Sequence, residues 1–372
     1  MKILFLQNKG KSYGGVWQVN KMVGEALISD GYEVAVVSIR ENHNDYVPEY
    51  NPKMHVETLN KVDEWETYSW SEIIKKFPKK DSVKMIKNRF HNIRTMKLDK
   101  KKLASFIDEF KPDYIISSQY QLLDMIPKNY LSSTFNEQHM SFRDSWNHPA
   151  TRKTFIKYKD KVTYIWLCKK TMEEAIKHGL DNSICLYNAV RFETKEIADV
   201  TKNKRIVTIA RISSQKRIDK MVDMLEEIFK NKKYHDWTLE IWGDGDEYEK
   251  IKSLIKSPQI KLMGRTNNPK DILLKSSINL NTSDYEGFAL SILEANECGI
   301  PTITFDFGES TEEEVLDGKT GFIAKDREDY INKLEMLMND NKLLKEMSKN
   351  CKVYNDNFKI QKIVKEWEKL FK

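Results

Sequence analysis

The residues best suited to chemistry lie in the segment Ser283–Glu294, SDYEGFALSILE, which follows an apolar run at 278–281. The apolar spacing predicts a strand and then a helix that opens at Glu286. Backbone N–H groups in the first turn of a helix have no partner within the helix, so they could bind a phosphate, and a glycine there would let it approach. The N–H groups concerned are those of Gly287, Phe288, Ala289 and Leu290.

Two carboxylates, Glu286 and Glu294, flank these N–H groups. Eight residues of helix would separate them by about 12 Å, whereas a glycosidase acid and nucleophile lie roughly 5 to 9.5 Å apart. The spacing therefore disfavours a hydrolase and suits a nucleotide diphosphate sugar. Glu286 would contact sugar hydroxyls and Glu294 the ribose. For either glutamate alone, a solvated carboxylate without a role is the competing interpretation.

Arg211 and Lys216 follow an apolar run that ends at Ile209 and precede another helical pattern. Two cations in a loop after a strand could neutralise a departing diphosphate, whose charge is the main electrostatic problem of glycosyl transfer. Cations without a role are common in such loops, but the two glutamates at another strand end favour a functional interpretation.

The glycines of the first loop, Gly14 and Gly15, do not form a G-x-G-x-x-G motif. Ser38 also stands where a dinucleotide-binding protein has an acidic residue, so an NAD-dependent enzyme is disfavoured.

Gly243-Asp-Gly245 occupies a similar position in the second half of the chain. Asp244 and Asp246 could form a D-x-D metal motif, but we expect a turn that caps a helix beginning near Asp246, and no bound metal. His139 follows an apolar run and could face a cleft, although a lone histidine is more often structural.

The composition is that of a globular protein with about two domains: 372 residues, 40% hydrophobic and 32% charged. Four scattered cysteines without C-x-x-C spacing argue against zinc clusters and disulfides and favour a reducing cytosol. The first strand becomes polar too early for a signal peptide, and no run of 18 apolar residues occurs. We therefore expect a cytoplasmic protein.

The basic surplus lies in the first half, where residues 1–190 carry 30 Lys and Arg against 23 Asp and Glu. Between Lys75 and Lys102, twelve basic residues accompany only Asp81 and Asp99. This stretch is either a solvated helix face or a segment that contacts anionic lipid or an anionic polymer. It carries no recognised nucleic-acid module and few interleaved aromatic residues, so no nucleic-acid partner is expected.

Short β-branched runs alternate with amphipathic helical patterns, which predicts an α/β fold of two Rossmann-like domains whose parallel sheets face a cleft. The polar stretch Val190–Lys204 marks the boundary between an N-terminal domain, 1–190, and a C-terminal domain, 191–352. Ligands should bind beyond the carboxyl ends of the strands. The predicted strands are Lys2–Gln7, Glu33–Ser38, Tyr114–Ser117, Thr134–Gln138, Thr163–Leu167, Ile184–Tyr187, Arg205–Ile209, Thr238–Trp242, Ile260–Met263, Ile278–Asn281 and Thr302–Phe305.

Over nearly the whole chain, these motifs resemble those of the family 4 retaining glycosyltransferases of GT-B fold. The E-x7-E element, Glu286 to Glu294, is the most specific of them. The others are Gly14-Gly15, Tyr187-Asn188, Arg211 with Lys216, Gly243-Asp-Gly245, Gly264-Arg265 and Cys298-Gly-Ile-Pro301.

The resemblance implies a hexosyltransferase that takes a sugar from a nucleotide diphosphate sugar, usually a UDP-sugar, with retention of configuration. It also implies no metal and no tightly bound cofactor. Glu286 and Phe288 would lie against the donor sugar and phosphates, Glu294 against the ribose, and Arg211 and Lys216 against the diphosphate.

Further positions follow from the same resemblance. Gly14 and Gly15 would close over the donor, Asn188 would belong to the donor site, and His139 would be the cleft histidine near the transferred sugar. The last helix, 353–372, would pack back on the first domain.

Three departures from the family pattern leave the donor sugar open. Ala189 and Ala210 stand where the family usually has glycine. The loop Phe307–Glu312 replaces a commoner Gly-Gly or Gly-Pro sequence, and this loop approaches the donor sugar in relatives.

The expected activity is sugar transfer to a cell-surface polysaccharide, a teichoic-acid-like polymer, a glycolipid or a glycoprotein glycan, in the cytoplasm or at the inner membrane surface. Two alternatives are a nucleotide-sugar epimerase of the same fold and a non-catalytic nucleotide-sugar or glycan-binding partner of another transferase.

Overall fold

A computed structural model describes residues 1–9, 15–40, 49–60 and 80–372. The strands are β1 Lys2–Lys9, β2 Glu33–Arg40, β3 His55–Asn60, β4 Tyr114–Ser117, β5 Thr134–Gln138, β6 Thr163–Trp166, β7 Ser183–Cys185, β8 Arg205–Ile209, β9 Thr238–Trp242, β10 Ile260–Gly264, β11 Ile278–Asn281, β12 Thr302–Phe305 and β13 Gly321–Ala324. The helices are α1 Gly15–Ser29, α2 Lys80–Phe110, α3 Phe142–Asn147, α4 Pro149–Tyr158, α5 Lys169–Lys177, α6 Ile218–Ile228, α7 Tyr248–Leu254, α8 Pro269–Leu273, α9 Leu290–Glu297, α10 Thr311–Glu314, α11 Arg327–Asn339, α12 Asn341–Asn355 and α13 Ile360–Leu370.

The strands form two parallel sheets, which confirms the predicted α/β fold. The first has the order β3-β2-β1-β4-β5-β6-β7 and the second the order β10-β9-β8-β11-β12-β13. Phe5 at the centre of β1 pairs with Val36 on one side and Ile116 on the other. Side chains such as these are buried because helices cover both faces of each sheet, as continuous apolar strands require.

The strand order reverses between β1 and β4 in the first sheet and between β8 and β11 in the second. In an open parallel sheet, the loops that follow the strands diverge at such a point and leave a crevice. The loops after β8 and β11 carry Arg211 and Glu286, so this topology brings the two predicted groups to the same crevice.

Two strands escaped prediction. The edge strand β3 has a mixed sequence, HVETLN, with mostly exposed or half-buried side chains, and β13 has only four residues. The last predicted strand of the first half, Ile184–Tyr187, is shorter in the structure and ends at Cys185.

The chain returns to the first sheet at its C-terminal end. Ile363, Val364 and Trp367 of α13 are buried in the core of that sheet, and Trp367 meets Phe135 with ring centroids 5.8 Å apart. The expected single helix from Val353 onward is wrong, because Val353 belongs to α12 and an extended residue, Lys359, interrupts the helical backbone. No helix in the described ranges is long and apolar enough to cross a membrane.

Candidate active site

A cavity of about 580 Å³ lies at the carboxyl ends of β8, β9, β10 and β11. Gln18 of α1 and Arg191, which precedes β8, close it from the side of the first sheet. The cavity therefore lies between the two halves of the molecule. It brings together seven residues that the sequence singled out: Arg211, Lys216, Gly243, Glu286, Phe288, Ala289 and Leu290.

Lys216 and Glu286 form an ion pair at the floor of this cavity. The Ser283 hydroxyl donates a second hydrogen bond to Glu286 Oε1 at 2.7 Å, and Thr282 Oγ1 donates to the Lys216 carbonyl at 3.0 Å. Glu286 is only 9% exposed. The loops after β8 and β11 are thus tied together, and they hold a cation and a carboxylate at fixed positions.

The helix expected to open at Glu286 begins four residues later, at Leu290, so the predicted cluster of free N–H groups is not formed as expected. The Glu286 N–H donates to the Phe307 carbonyl at 3.3 Å, and the Ala289 N–H donates to Glu314 Oε2 at 2.8 Å. Phe288 turns into an apolar cluster with Phe358, which holds the preceding segment out of the helix. The 12 Å helical spacing assumed between the two glutamates does not apply.

Glu314 is a buried carboxylate that the sequence did not single out. Burial raises its pKa to about 8, although the bond from Ala289 opposes the shift. Nearby Glu286 raises this pKa further and Lys216 lowers it. The signal available in the sequence was its place just beyond the unusual loop at 307–312.

The two halves of the chain touch closely at Gly287. A Cβ atom at this position would lie 2.0 Å from the His139 carbonyl oxygen, so only glycine fits. The glycine therefore allows contact between the halves, and its role in the approach of a phosphate stays a prediction. His139 lies beside this contact, and its Nε2 is 3.1 Å from Oε2 of the buried Glu137.

Glu294 lies behind the cavity wall and is fully buried. Arg191 binds its Oε1 and also donates to Gln18 Oε1 at 2.6 Å. Burial lowers the pKa of Arg191 to about 10. A ribose that reached Glu294 would have to share it with Arg191, and the ribose role of Glu294 stays a prediction.

Gly243 and the residues after it form a tight turn. Gly243 has φ +147°, and a Cβ there would lie 1.9 Å from the Ala210 carbonyl oxygen. Asp244 accepts a bond from the Gly245 N–H at 2.8 Å and pairs with Arg265 at 3.1 Å. The expected turn is present, but the expectation that it caps the next helix is wrong, because α7 begins at Tyr248 without a side-chain cap. Among the described residues, no group of three or more His, Cys, Asp or Glu could hold a metal.

Asn188 is the remaining predicted residue whose surroundings the structure describes, and it does not line the cavity. Gly14 lies outside the described residues, and Gly15 is the first residue of α1. Asn188 is buried, and its Oδ1 has no hydrogen-bond partner in the described structure. Sequence reasoning missed other residues of the cavity, among them Gln18, Arg191, Trp242 and Thr266. The sequence offered a signal for Arg191, since it lies three residues after the Tyr187-Asn188 motif.

Two Rossmann-like sheets with a cavity between their strand ends are the arrangement of the GT-B fold. Residues 190–353 match the family model described as glycosyl transferases group 1. The C-terminal half of the chain therefore matches a glycosyltransferase family, and the two sheets have the GT-B arrangement that the sequence motifs indicated.

Similar proteins cover the chain to different extents. An uncharacterized glycosyltransferase of Haemophilus influenzae is 26% identical over 98% of this chain and 98% of its own length. A poly(ribitol-phosphate) alpha-N-acetylglucosaminyltransferase of Staphylococcus aureus is 25% identical over 63% of this chain, which spans 48% of that protein. The Anabaena protein HepE, solved with UDP-glucose, has a TM-score of 0.71 at 15% identity, covering 99% of this chain and 98% of its own.

Proposed function

We propose that this glycosyltransferase takes a hexose from a UDP-sugar and transfers it, with retention of configuration and without a metal, to a glycan acceptor. The observation that carries the proposal is the charge of the cavity. Four cations, Arg191, Arg211, Lys216 and Arg265, line it against two carboxylates, Asp244 and Glu286. A surplus of fixed cations suits a diphosphate and can neutralise it as it leaves.

In this reaction an acceptor hydroxyl oxygen bonds to the anomeric carbon while the bond from that carbon to the diphosphate oxygen breaks. The diphosphate takes the electron pair, and the hydroxyl proton passes to a phosphate oxygen. Lys216 and Arg211 would stabilise the negative charge that develops. Glu286 would orient sugar hydroxyls, and His139, held by Glu137, would donate or accept a hydrogen bond at the transferred sugar.

The nucleotide and the type of acceptor are proposed by analogy. HepE, solved with UDP-glucose, shares the whole fold, which supports a UDP-sugar. The names of the staphylococcal relative and of an amylovoran biosynthesis glycosyltransferase of Erwinia amylovora support a cell-surface polymer as acceptor.

A panel of nucleotide diphosphate sugars, assayed with purified protein for nucleotide release, tests the donor. The expected result is release of UDP from one UDP-sugar. NMR of the glycoside product should show the same anomeric configuration as that of the donor. Sugar isomerisation without an acceptor would instead indicate an epimerase. Nucleotide release no faster than the spontaneous rate from every donor would indicate a non-catalytic binding protein.

We also propose that α2 contacts an anionic membrane surface at the cytoplasmic face. Lys84, Lys87, Arg94 and Lys97 are exposed on it, and so are the apolar side chains Phe90 (60%), Met96 (54%) and Leu98 (53%). Cations interleaved with exposed apolar groups suit a lipid interface better than a soluble polymer. Lys75, Lys76 and Lys79 of the basic stretch lie outside the described residues.

Sedimentation with liposomes tests this surface. Binding to vesicles with anionic lipid, reduced by salt and by Phe90→Ser with Leu98→Ser, is expected. Equal binding to neutral vesicles would contradict it.

A further inference from the structure

A second cavity of about 760 Å³ lies on the other side of the loop after β11. Tyr285 lines this cavity, whereas the next residue, Glu286, lines the first one. Helices α3 and α5, which follow β5 and β6, form its wall on the first sheet, and the loop after β12 forms the opposite wall. An acceptor held there would adjoin the place where Glu286 would hold the donor sugar.

The wall on the first sheet carries an immobilised aromatic ring. Trp146 is half-buried and stacks on Phe142, with ring centroids 5.2 Å apart and planes at 25°. His178 braces it from another side at 4.9 Å. Tyr285, 42% exposed, stands on the opposite half of the molecule. Rigid rings with a free face present an apolar surface, which fits the C–H face of a sugar ring at low entropic cost.

The charge of this cavity differs in sign from that of the first. Its lining has two cations, Arg143 and Lys170, and five carboxylates, Asp144, Glu174, Asp284, Asp306 and Glu309. Arg217 and Lys220 bind Asp284 at 3.1 and 2.9 Å, and Lys177 binds Glu174 at 2.6 Å, so two of the five are compensated from outside the lining. The remaining surplus would repel a polyanion and can accept hydrogen bonds from hydroxyl groups.

We propose that this cavity is the acceptor site and that it takes an uncharged sugar residue, stacked on Trp146 and hydrogen-bonded to the surrounding carboxylates. The inference rests on the proposed transferase function and restricts its acceptor. The acceptor sugar nearest the donor would be uncharged, even in a polymer that carries charge elsewhere.

Binding of the purified protein to an array of immobilised glycans tests the proposal. The neutral probes are oligomers of glucose, galactose and N-acetylglucosamine, and the anionic probes are uronic-acid oligomers and poly(glycerol phosphate). We expect retention on a neutral glycan, a loss of about tenfold in Trp146→Ala and Tyr285→Ala, and recovery in the ring-preserving variants Trp146→Phe and Tyr285→Phe. UDP binding, measured by calorimetry on the same proteins, should not change.

Three results would overturn the acceptor site: preference for the anionic probes, no retention on any neutral glycan, or retention that Trp146→Ala leaves unchanged. Failure of the transferase proposal has a different signature, since the wild-type protein would then bind no UDP whatever the array shows.

Discussion

The two cavities share a wall and differ in what lines them. The first has four cations against two carboxylates and glycines that bring backbone close to backbone. The second has two cations against five carboxylates and an aromatic ring held by two others. The wall between them is the short segment from Asp284 to Glu286. Under the proposed function, a transferase holds an anionic donor beside an uncharged hydroxyl, and this division of charge over a few residues would suit both.

The largest expected effect comes from removing a cation of the first cavity. Lys216→Met should lower the rate of transfer about 100- to 1,000-fold, because the departing diphosphate loses a fixed positive charge and Glu286 loses its partner. Lys170→Met, which removes a cation of the second cavity, should change the rate only a few-fold. Initial rates of UDP release with acceptor present measure both. Equal losses would remove the distinction between the cavities.

The next effect is on stability and concerns the buried partner of Arg191. Arg191→Ala would leave the carboxylate of Glu294 buried and unpaired, and we expect the free energy of unfolding to fall by about 3 kcal/mol. The double variant Arg191→Ala with Glu294→Gln should recover part of this loss.

Urea titration followed by fluorescence measures the change. Arg327→Ala is the matched control, since its partners Asp223 and Glu227 are exposed and the pair should contribute under about 1 kcal/mol. A loss in Arg191→Ala no larger than in the control would show that Glu294 is solvated.

The sequence predicted the fold well because the alternation of apolar strands and helices is a local pattern that burial on both sheet faces enforces. Arg211 and Lys216 were found because a loop after a strand is recognisable from its flanks. The start of α9 was not predicted correctly, because Phe288 packs against Phe358, a residue 70 positions away. Nor does any local pattern show that Glu314 would reach the Ala289 N–H.

The second cavity was invisible in the sequence for the same reason. Phe142, Trp146 and His178 form one cluster only after α3 and α5 have packed together. Tyr285 joins from the other half of the chain.

A smaller effect should appear in the pH dependence of stability, through Glu314. Its helix, α10, follows the loop that lines the second cavity. Its carboxylate accepts a hydrogen bond from Ala289, which lines the first cavity. Its pKa is raised from 4.5 to about 8 in the folded protein, so between these values the folded state binds more protons than the unfolded state. The free energy of unfolding due to this group must therefore fall as pH rises from about 4.5 to 8. Glu314→Gln should keep the bond to Ala289 and lose this dependence.

Melting temperatures of the two proteins at pH 6 and pH 8.5 measure the effect. Glu312→Gln, two positions away with a side chain that is 74% exposed, is the control for a general change in charge. If the difference in melting temperature between the wild type and Glu314→Gln is the same at pH 8.5 as at pH 6, the carboxylate is ionised throughout this range.

The smallest expected effect tests the charge of the second cavity directly. Asp144→Asn with Glu174→Gln removes two of its five carboxylates without changing their shape. Because Asp144 is exposed and Glu174 is only half-buried and already paired with Lys177, salt screens both, so the affinity for an anionic glycan should rise only a few-fold, and more at low ionic strength than at high. Affinity for a neutral glycan should fall slightly through lost hydrogen bonds.

Paired titrations at two salt concentrations separate these effects, since a hydrogen-bonding change persists in salt and an electrostatic one does not. If the double variant bound anionic and neutral glycans as the wild type does, the carboxylates would have no part in acceptor selection. The functional difference between the cavities would then depend only on the cations of the first cavity.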